Sequence, residues 1–276
     1  MQVSLFPELI KASCSMFGAW GEANTETGNG LIQLRALDWN TNGPFQKYPL
    51  LLTYHPASGN GHNFTTLTWA GLVGALTGMS SAHMGICEKV WDHYTGIQNI
   101  VGYPWTFLLQ DILQFDVDTD QALSRIATAN RTCGIFVGLG EGGTAVDARP
   151  NFRALEYSYE TVNIYNSVNF PAYPPWHPLF KDLVFIDKHT QPSHNLCFGS
   201  LLAKYYGSIS PENTLQYITA IEQTGDMHVA IYDYDNGYMY LSNASPVAAN
   251  GSVVPAYARQ FIRADMTALW SLELQQ

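Results

Sequence analysis

The first hydrophobic runs of the chain are short and are bounded by glycine, asparagine and threonine. Residues 14–20 and 31–39 are two such runs, and the segment GEANTETGNG separates them. Because these residue types favour turns, the two runs are predicted to pair as an antiparallel hairpin. Two further runs, NFTTLTWAGLVGALTG and SAHMGICEKVW, also predict strands, since they are rich in β-branched and aromatic residues.

The period of the hydrophobic positions then becomes that of helices. PWTFLLQDILQF follows Pro104, and DTDQALSRIATA follows an Asp/Thr cap, with apolar residues three or four positions apart in both. Strand patterns return in CGIFVGL, FRALEYSY and TVNIYNS. We expect the Pro-rich segment FPAYPPWHP that follows to be exposed and irregular.

The best-marked element is a helix that begins near residue 211. Ser210 can cap it, Pro211 occupies its first turn, ENTLQYITAIEQT has the helical period, and Gly225 is predicted to end it. DMHVAIYDYDNGYMYLSNA then predicts a hairpin that turns at Asp235-Asn236-Gly237. This order of elements favours an α+β fold in which helices stack on antiparallel sheets.

Length and charge limit the class of protein. The chain has 276 residues, 46% of them hydrophobic, and no linker-like segment divides it, which indicates one domain. A net charge of -10 with only 13 Lys and Arg residues argues against a nucleic-acid partner, because phosphates are bound mainly through cations. An acidic surface suits an acidic compartment.

The compartment signals disagree with one another. The start MQVSLFPELIKAS has no signal-peptide core, and no run of about 18 apolar residues offers a membrane span. This leaves either a cytosolic protein or a fragment that lacks its natural start. Four sequons nevertheless predict glycosylation in a secreted or lysosomal protein. Their asparagines are Asn63, Asn130, Asn243 and Asn250.

The sequence predicts neither a metal site nor a cofactor. The four cysteines lack CxxC spacing, and His189, His194 and Cys197 fit no standard metal pattern. GLGEGG at 138–143 matches a dinucleotide-binding pattern, but no helix follows to receive a pyrophosphate, so a hairpin loop is the better interpretation.

Cys14 is the candidate nucleophile. A thiol with a pKa of about 8.5 needs a base, and the residues around Cys14 do not match the local signature of papain-like enzymes. An α-amino group, with a pKa of about 8, serves as a base if the nucleophile becomes the first residue. Cleavage between Ser13 and Cys14 would produce that arrangement.

Two charged residues of the next strand can support the thiol. Asp38 is placed to orient the freed amine of Cys14. Arg35 would favour the thiolate, or hold an acyl oxygen or the carboxylate. Three positions separate Arg35 from Asp38, so in an ideal strand they project to opposite faces, and a shared site would need a bulge or twist.

The segments SCSMFGAWGE and GLIQLRALDW resemble the N-terminal nucleophile (Ntn) hydrolases that include acid ceramidase, N-acylethanolamine-hydrolysing acid amidase and acyl-coenzyme A:6-aminopenicillanic acid acyltransferase. Their pattern is Cys followed by Ser or Thr, then Arg-x-x-Asp followed by an aromatic residue. LFPEL, QPSHNLCFGSLLAKYYG and TGDMHVAIYD resemble in particular the amoebozoan acid-ceramidase-like secreted proteins.

The resemblance implies a four-layer αββα sandwich and autocatalytic processing. Residues 1–13 would be a leader or propeptide remnant, and 14–276 the hydrolase domain. It implies Cys14 as nucleophile and base, Asp38 beside the new amino terminus, and Arg35 as a supporting residue. Asn195 is the candidate oxyanion-hole donor by residue type, although a shift would put Ser193 in that place.

The function implied is hydrolysis of a linear amide through a thioester acyl-enzyme. The substrate would be an N-acyl amide, such as a ceramide-like or N-acylethanolamine-like lipid, and the cleaved segment is a candidate second subunit. Two alternatives stay open. One is a non-catalytic secreted glycoprotein that binds lipid or protein, and the other is a phospholipase B-like esterase.

Overall fold

The computed structural model describes residues 13–28, 30–41, 43, 45–143, 150–245 and 251–272. The first hairpin forms as predicted: strands β1 (Ser13–Ala19) and β2 (Ile32–Asp38) pair antiparallel. A 3₁₀ turn over Gly21–Thr27 connects them.

This hairpin lies inside a six-stranded antiparallel sheet, the first sheet. Its strand order is β10-β1-β2-β11-β12-β13. The added strands are β10 (Leu183–Ile186), β11 (His228–Asp233), β12 (Tyr238–Asn243) and β13 (Ile262–Asp265). The predicted hairpin at residues 235–237 joins β11 to β12.

The second sheet is a seven-stranded antiparallel meander in chain order. Its strands are β3 (Pro49–Tyr54), β4 (Phe64–Trp69), β5 (Thr77–Ser80), β6 (Met84–Val90), β7 (Ile135–Glu141), β8 (Asn151–Tyr157) and β9 (Val162–Tyr165).

The two sheets pack face to face and bury a shared core that includes Met16 of β1 and Phe152 of β8. Gly18 is one position where the sheets approach closely, because a Cβ there would lie 2.2 Å from Cγ of Phe152. A larger residue at 18 would therefore force the sheets apart.

Helices cover the outer faces of both sheets. Helices α1 (Trp105–Phe115) and α2 (Thr119–Thr128) bury one face against the second sheet, where Ile112 shares a core with Ile86. Helices α3 (Cys197–Lys204) and α4 cover the first sheet, and α4 comprises Pro211–Asn213, a π-helical segment Thr214–Thr219, and Ala220–Glu222. A short helix α5 spans Met266–Trp270. The result is the predicted four-layer αββα sandwich.

Several local predictions need correction. Helix α4 ends at Glu222, ahead of Gly225, because Gln223 already adopts a left-handed conformation with φ 54°. The GLGEGG segment is strand as far as Glu141, and the rest of its hairpin loop, 144–149, lies outside the described residues. In the Pro-rich segment, Phe170 and His177 are buried against Phe185 and its neighbours.

Residues 1–12 lie outside the described part of the chain, so the predicted leader has no structural description apart from Ser13. Within the described residues, no helix combines the length and the apolar character that a membrane crossing requires.

Candidate active site

Cys14 lies in the second position of β1, and its side chain points toward the second sheet. Met16, two residues along the same strand and therefore on the same face, contacts Cys87 of β6 through their sulfur atoms at 3.7 Å. Cys14 is fully buried. Burial is the main reason that the pKa of its thiol is raised to about 12, so the thiol is protonated.

Arg35 shares this face and is also fully buried. Its guanidinium hydrogen-bonds the Cys14 thiol, and its Nη2 pairs with Glu88 Oε1 of the second sheet at 2.7 Å. Burial acts to lower the pKa of Arg35, but interactions with Cys14, including a hydrogen bond, and with the Glu88 carboxylate raise it overall. The guanidinium is therefore a permanent cation beside the sulfur, and it is held from across the interface between the sheets.

A threonine and a histidine complete the surroundings of Arg35. Its Nε donates to Thr77 Oγ1 at 3.2 Å, and Thr77 Oγ1 lies 2.8 Å from His228 Nε2. Because an arginine only donates, the Thr77 hydroxyl accepts from it and has its own proton left for His228. Burial, with the charge of Arg35, holds the pKa of His228 well below its usual value, so the imidazole is neutral. Trp69 stacks on that ring at 5.5 Å.

Asp38 lies on the opposite face of the first sheet, as the spacing predicts, and the strand pairing runs without a bulge from Ser13↔Asp38 to Ala19↔Ile32. Arg35 and Asp38 thus approach Cys14 from different sides. Arg35 contacts the sulfur, whereas Asp38 lies across from Ser13 and so beside the Ser13–Cys14 peptide bond.

Three donors hold the Asp38 carboxylate. The Thr224 hydroxyl donates to Oδ2 at 2.8 Å, and the backbone N–H groups of Gly225 and Asp226 donate to Oδ1 at 2.7 and 3.1 Å. Thr224 Oγ1 also lies 2.7 Å from the Ser15 hydroxyl. Burial raises the pKa of Asp38, and these hydrogen bonds oppose that rise.

The structure does not group Asn195 with these residues. Its Oδ1 accepts from the N–H of Cys197 at 2.8 Å at the start of α3, and its Nδ2 lies 3.3 Å from His189 Nε2. Ser193, the alternative, accepts from the Asn195 N–H at 3.1 Å and donates to Asp187. Both residues order the loop ahead of α3, and the oxyanion role assigned from the resemblance stays a prediction.

Glu88, Thr77, His228 and Thr224 were missed in the sequence. Charged residues inside the otherwise apolar run MGICEKV were the available signal for Glu88. No comparable signal marks Thr77, because its role depends on how the two sheets pack.

The described residues contain no group of three or more His, Cys, Asp or Glu arranged to hold a metal ion. His189 lies near Asp187, with their Nδ1 and Oδ2 atoms 3.6 Å apart, and His194 packs edge-on against Trp176.

The sequons differ in exposure. Asn130 is exposed, and its side-chain oxygen accepts from Asn99. Asn63 and Asn243 are half-buried, and their side-chain nitrogens donate to the carbonyl groups of Trp270 and Ala244. Asn250 lies outside the described residues.

Comparison with solved structures identifies the class of fold. An N-acylethanolamine-hydrolysing acid amidase ortholog of Caenorhabditis elegans superposes with a TM-score of 0.57 at 12% identity, over 80% of this chain and 93% of that one. Penicillin V acylase of Agrobacterium tumefaciens superposes with a TM-score of 0.54 at 11% identity, over 92% of this chain and 86% of that one. A variant of conjugated bile acid hydrolase of Clostridium perfringens superposes with a TM-score of 0.54 at 11% identity, over 92% of this chain and 93% of that one. The fold is the Ntn-hydrolase sandwich.

In sequence, the chain is similar to the Dictyostelium discoideum proteins dcd1A and dcd1B. It is 44% identical to dcd1A over 287 residues and 40% identical to dcd1B over 284, and each match covers 98% of this chain. The chain spans 63% of the length of dcd1A and 55% of that of dcd1B. No family model matches. The similarity agrees with the amoebozoan resemblance found in the motifs.

Proposed function

We propose that the protein is a cysteine amidohydrolase that cleaves itself before Cys14 and then hydrolyses a linear amide. The observation that carries this proposal is the placement of one charged residue on each side of Cys14. Arg35 contacts the sulfur, and Asp38 lies across from Ser13. A nucleophile whose own amine is its base needs support at those two atoms.

In the cleavage step, Cys14 Sγ attacks the carbonyl carbon of Ser13, the C–N bond breaks, and the thiol proton is transferred to the peptide nitrogen, which leaves as the α-amine of Cys14. Water then hydrolyses the resulting thioester, which releases the segment ending in Ser13 and restores the Cys14 thiol. Asp38 accepts a hydrogen bond from the new amine. The released segment is a candidate second subunit.

In turnover, the freed amine takes the thiol proton as sulfur attacks the substrate carbonyl, and it passes the proton to the departing amine. Water then cleaves the thioester and yields the carboxylic acid. The Arg35 cation stabilises the thiolate. Asp38 balances the charge of the ammonium that forms between the two proton transfers.

The substrate that we propose is an N-acyl amide, with ceramide-like and N-acylethanolamine-like compounds as candidates. The names of the structural neighbours support amides outside peptides, since those enzymes include an N-acylethanolamine-hydrolysing amidase and a bile acid hydrolase. An ester would pass through the same acyl-enzyme, so a phospholipase B-like activity is the competing outcome.

We further propose a secreted or lysosomal location, supported by the sequons and the acidic composition. Of the three described acceptors, Asn130 is the exposed one. Peptide mapping of material secreted from a eukaryotic host should find a glycan at Asn130 at higher occupancy than at Asn63 or Asn243. An unmodified Asn130 in secreted material would count against this route.

The activity is tested with the wild type, Cys14→Ala and Asp38→Asn on N-acyl amides at acidic pH, with intact mass recorded before the assay. Cys14→Ala should remain uncleaved and inactive, because it lacks the attacking sulfur. Asp38→Asn should fold but lose most of the rate, since an amide cannot balance the ammonium. Full activity of uncleaved protein, or of Cys14→Ala, would refute the mechanism and favour the non-catalytic glycoprotein or another nucleophile.

A further inference from the structure

We propose that a cavity at the Cys14 end of the sandwich holds a compact aromatic acyl group of the substrate. This inference rests on the proposed amidase function and narrows its substrate class. The cavity has a volume of about 310 Å³. Its wall contains five aromatic rings, from Trp91, Phe136, Tyr165, Phe170 and Tyr173.

The position of the cavity follows from the strands that flank Cys14. Strand β10 pairs with β1, and this pairing ends with Ile186 opposite Met16, two residues from Cys14 along β1. Lys89 near the end of β6 donates to the carbonyl of Lys188 at 3.0 Å. The charge of Lys89 also acts on the Cys14 thiol.

The walls of the cavity continue from these same two segments. Trp91 follows Lys89 by two residues, and Gln191 follows Lys188 by three. Phe136 lies directly across from Lys89 in the pairing of β6 with β7. The cavity therefore begins where the segments beside Cys14 end, which suits a group attached to the carbonyl that the sulfur attacks.

Glu156, Tyr165, Tyr173 and Gln191 of the wall engage their polar groups in hydrogen bonds, and His194 packs edge-on against Trp176. Glu156 Oε2 accepts from the Tyr165 hydroxyl and from Asn163, both at 2.8 Å. The Gln191 amide donates to Asp187 Oδ1 at 2.9 Å and accepts from the Tyr173 hydroxyl at 2.7 Å. An occupant that brought hydrogen-bonding groups would have to break these bonds, so an apolar occupant is favoured.

Size and ring geometry define the occupant further. A volume near 310 Å³ lies at the low end of ligand pockets, which span roughly 300–1,000 Å³. The rings of Trp91 and Phe136 lie 5.4 Å apart at 40°, and those of Tyr165 and Phe170 lie 5.2 Å apart at 60°. An aromatic occupant could pack against such rings in an edge-on or offset arrangement. A phenylacetyl-sized group fits within this volume and would bring a ring against the aromatic wall.

The test compares N-phenylacetylethanolamine with N-palmitoylethanolamine, using processed wild type, Trp91→Leu and Trp270→Leu. Trp270 is a matched control, because it is also half-buried but contacts Thr65 on β4, outside the cavity wall. We expect kcat/KM to be at least about tenfold higher for the phenylacetyl amide. Trp91→Leu should remove most of that preference, mainly through KM, and Trp270→Leu should keep it.

A binding measurement separates this inference from the proposed function. Calorimetric titration of phenylacetate into the same three proteins requires no catalysis. Binding to wild type and Trp270→Leu, with loss in Trp91→Leu, supports the cavity even if neither amide is hydrolysed, in which case only the amidase proposal fails. Faster hydrolysis of the palmitoyl amide, absence of phenylacetate binding to wild type, or unchanged binding in Trp91→Leu would overturn the cavity assignment.

Discussion

At the scale of single residues, the most demanding feature is a fully buried arginine beside a buried thiol. Arg35 is satisfied by one carboxylate, one hydroxyl and the carbonyl of Ala36. Such a cation is costly to bury unless every donor finds an acceptor. Each acceptor therefore contributes to stability and also fixes the position of the guanidinium relative to Cys14.

Thr77→Val tests that dependence. Valine keeps the shape but removes the hydroxyl, which leaves Arg35 Nε and His228 Nε2 without a partner. We expect a loss of about 1–3 kcal/mol in the free energy of unfolding, because buried polar groups are left unsatisfied. The same substitution should lower kcat by roughly tenfold or more as the guanidinium loses its position.

The control for Thr77→Val is Thr66→Val on the adjacent strand. Thr66 is equally buried, yet its hydroxyl has no hydrogen-bond partner among the residues described. Urea denaturation and steady-state kinetics should show Thr66→Val close to wild type. Equal effects of the two substitutions would mean that Thr77 acts through packing alone.

At the scale of elements, the turn between α4 and β11 supports Asp38. Thr224, Gly225 and Asp226 all donate to its carboxylate. Gly225 has φ +92°, and a Cβ there would lie 2.2 Å from Cγ2 of Val229. The turn can hold Asp38 in this way only with glycine at its centre.

Gly225→Ala should therefore displace the turn and impair both self-cleavage and amide hydrolysis. Gly71→Ala is a close control, because Gly71 also has φ +92° but has no atom within 4 Å of the added Cβ. The left-handed conformation alone costs about 1–2 kcal/mol in both variants. Thermal denaturation should show a further loss of stability in Gly225→Ala only, and intact mass should show impaired self-cleavage in that variant only. Equal melting temperatures and equal cleavage in the two variants would mean that the turn has no part in the mechanism.

The elements that the sequence predicted are those with local signals. Caps at Asp118 and Ser210 and the turn at residues 235–237 marked their helices and hairpin correctly. Strands β3, β10 and β13 and helices α3 and α5 were missed, since their boundaries have weaker turn or capping signals. Cys14, Arg35 and Asp38 could be singled out together because they lie on one hairpin, and their catalytic roles stay predictions. Glu88 and Thr77 reach Arg35 from another sheet, a contact that no local pattern records.

At the scale of the whole molecule, buried titratable groups make stability depend on pH in two opposing ways. Burial raises the pKa of six carboxyl groups and lowers that of three histidines. The carboxyl groups belong to Asp38, Glu88, Glu222, Asp226, Asp233 and Asp235, and the histidines are His83, His177 and His228.

The signs of the two effects follow from proton binding. Between its unfolded and folded pKa values, each such carboxyl group binds more protons in the folded state, so stability falls as pH rises through that window. Each histidine binds fewer protons in the folded state, so stability rises with pH up to 6.5, the ordinary value. Above that pH the histidines contribute no further gain, while the net charge of -10 adds repulsion.

We therefore expect the melting temperature to be higher at about pH 5.5 than at about pH 8. Cys14→Ala suits this measurement by scanning fluorimetry, because it stays a single uncleaved chain. Added salt should restore part of the decrease in melting temperature at the higher pH, because it screens the net charge. It should not restore the part of the decrease that is due to buried carboxylates. A higher melting temperature at the alkaline end would show that the histidines dominate, and it would remove the physical support for an acidic compartment.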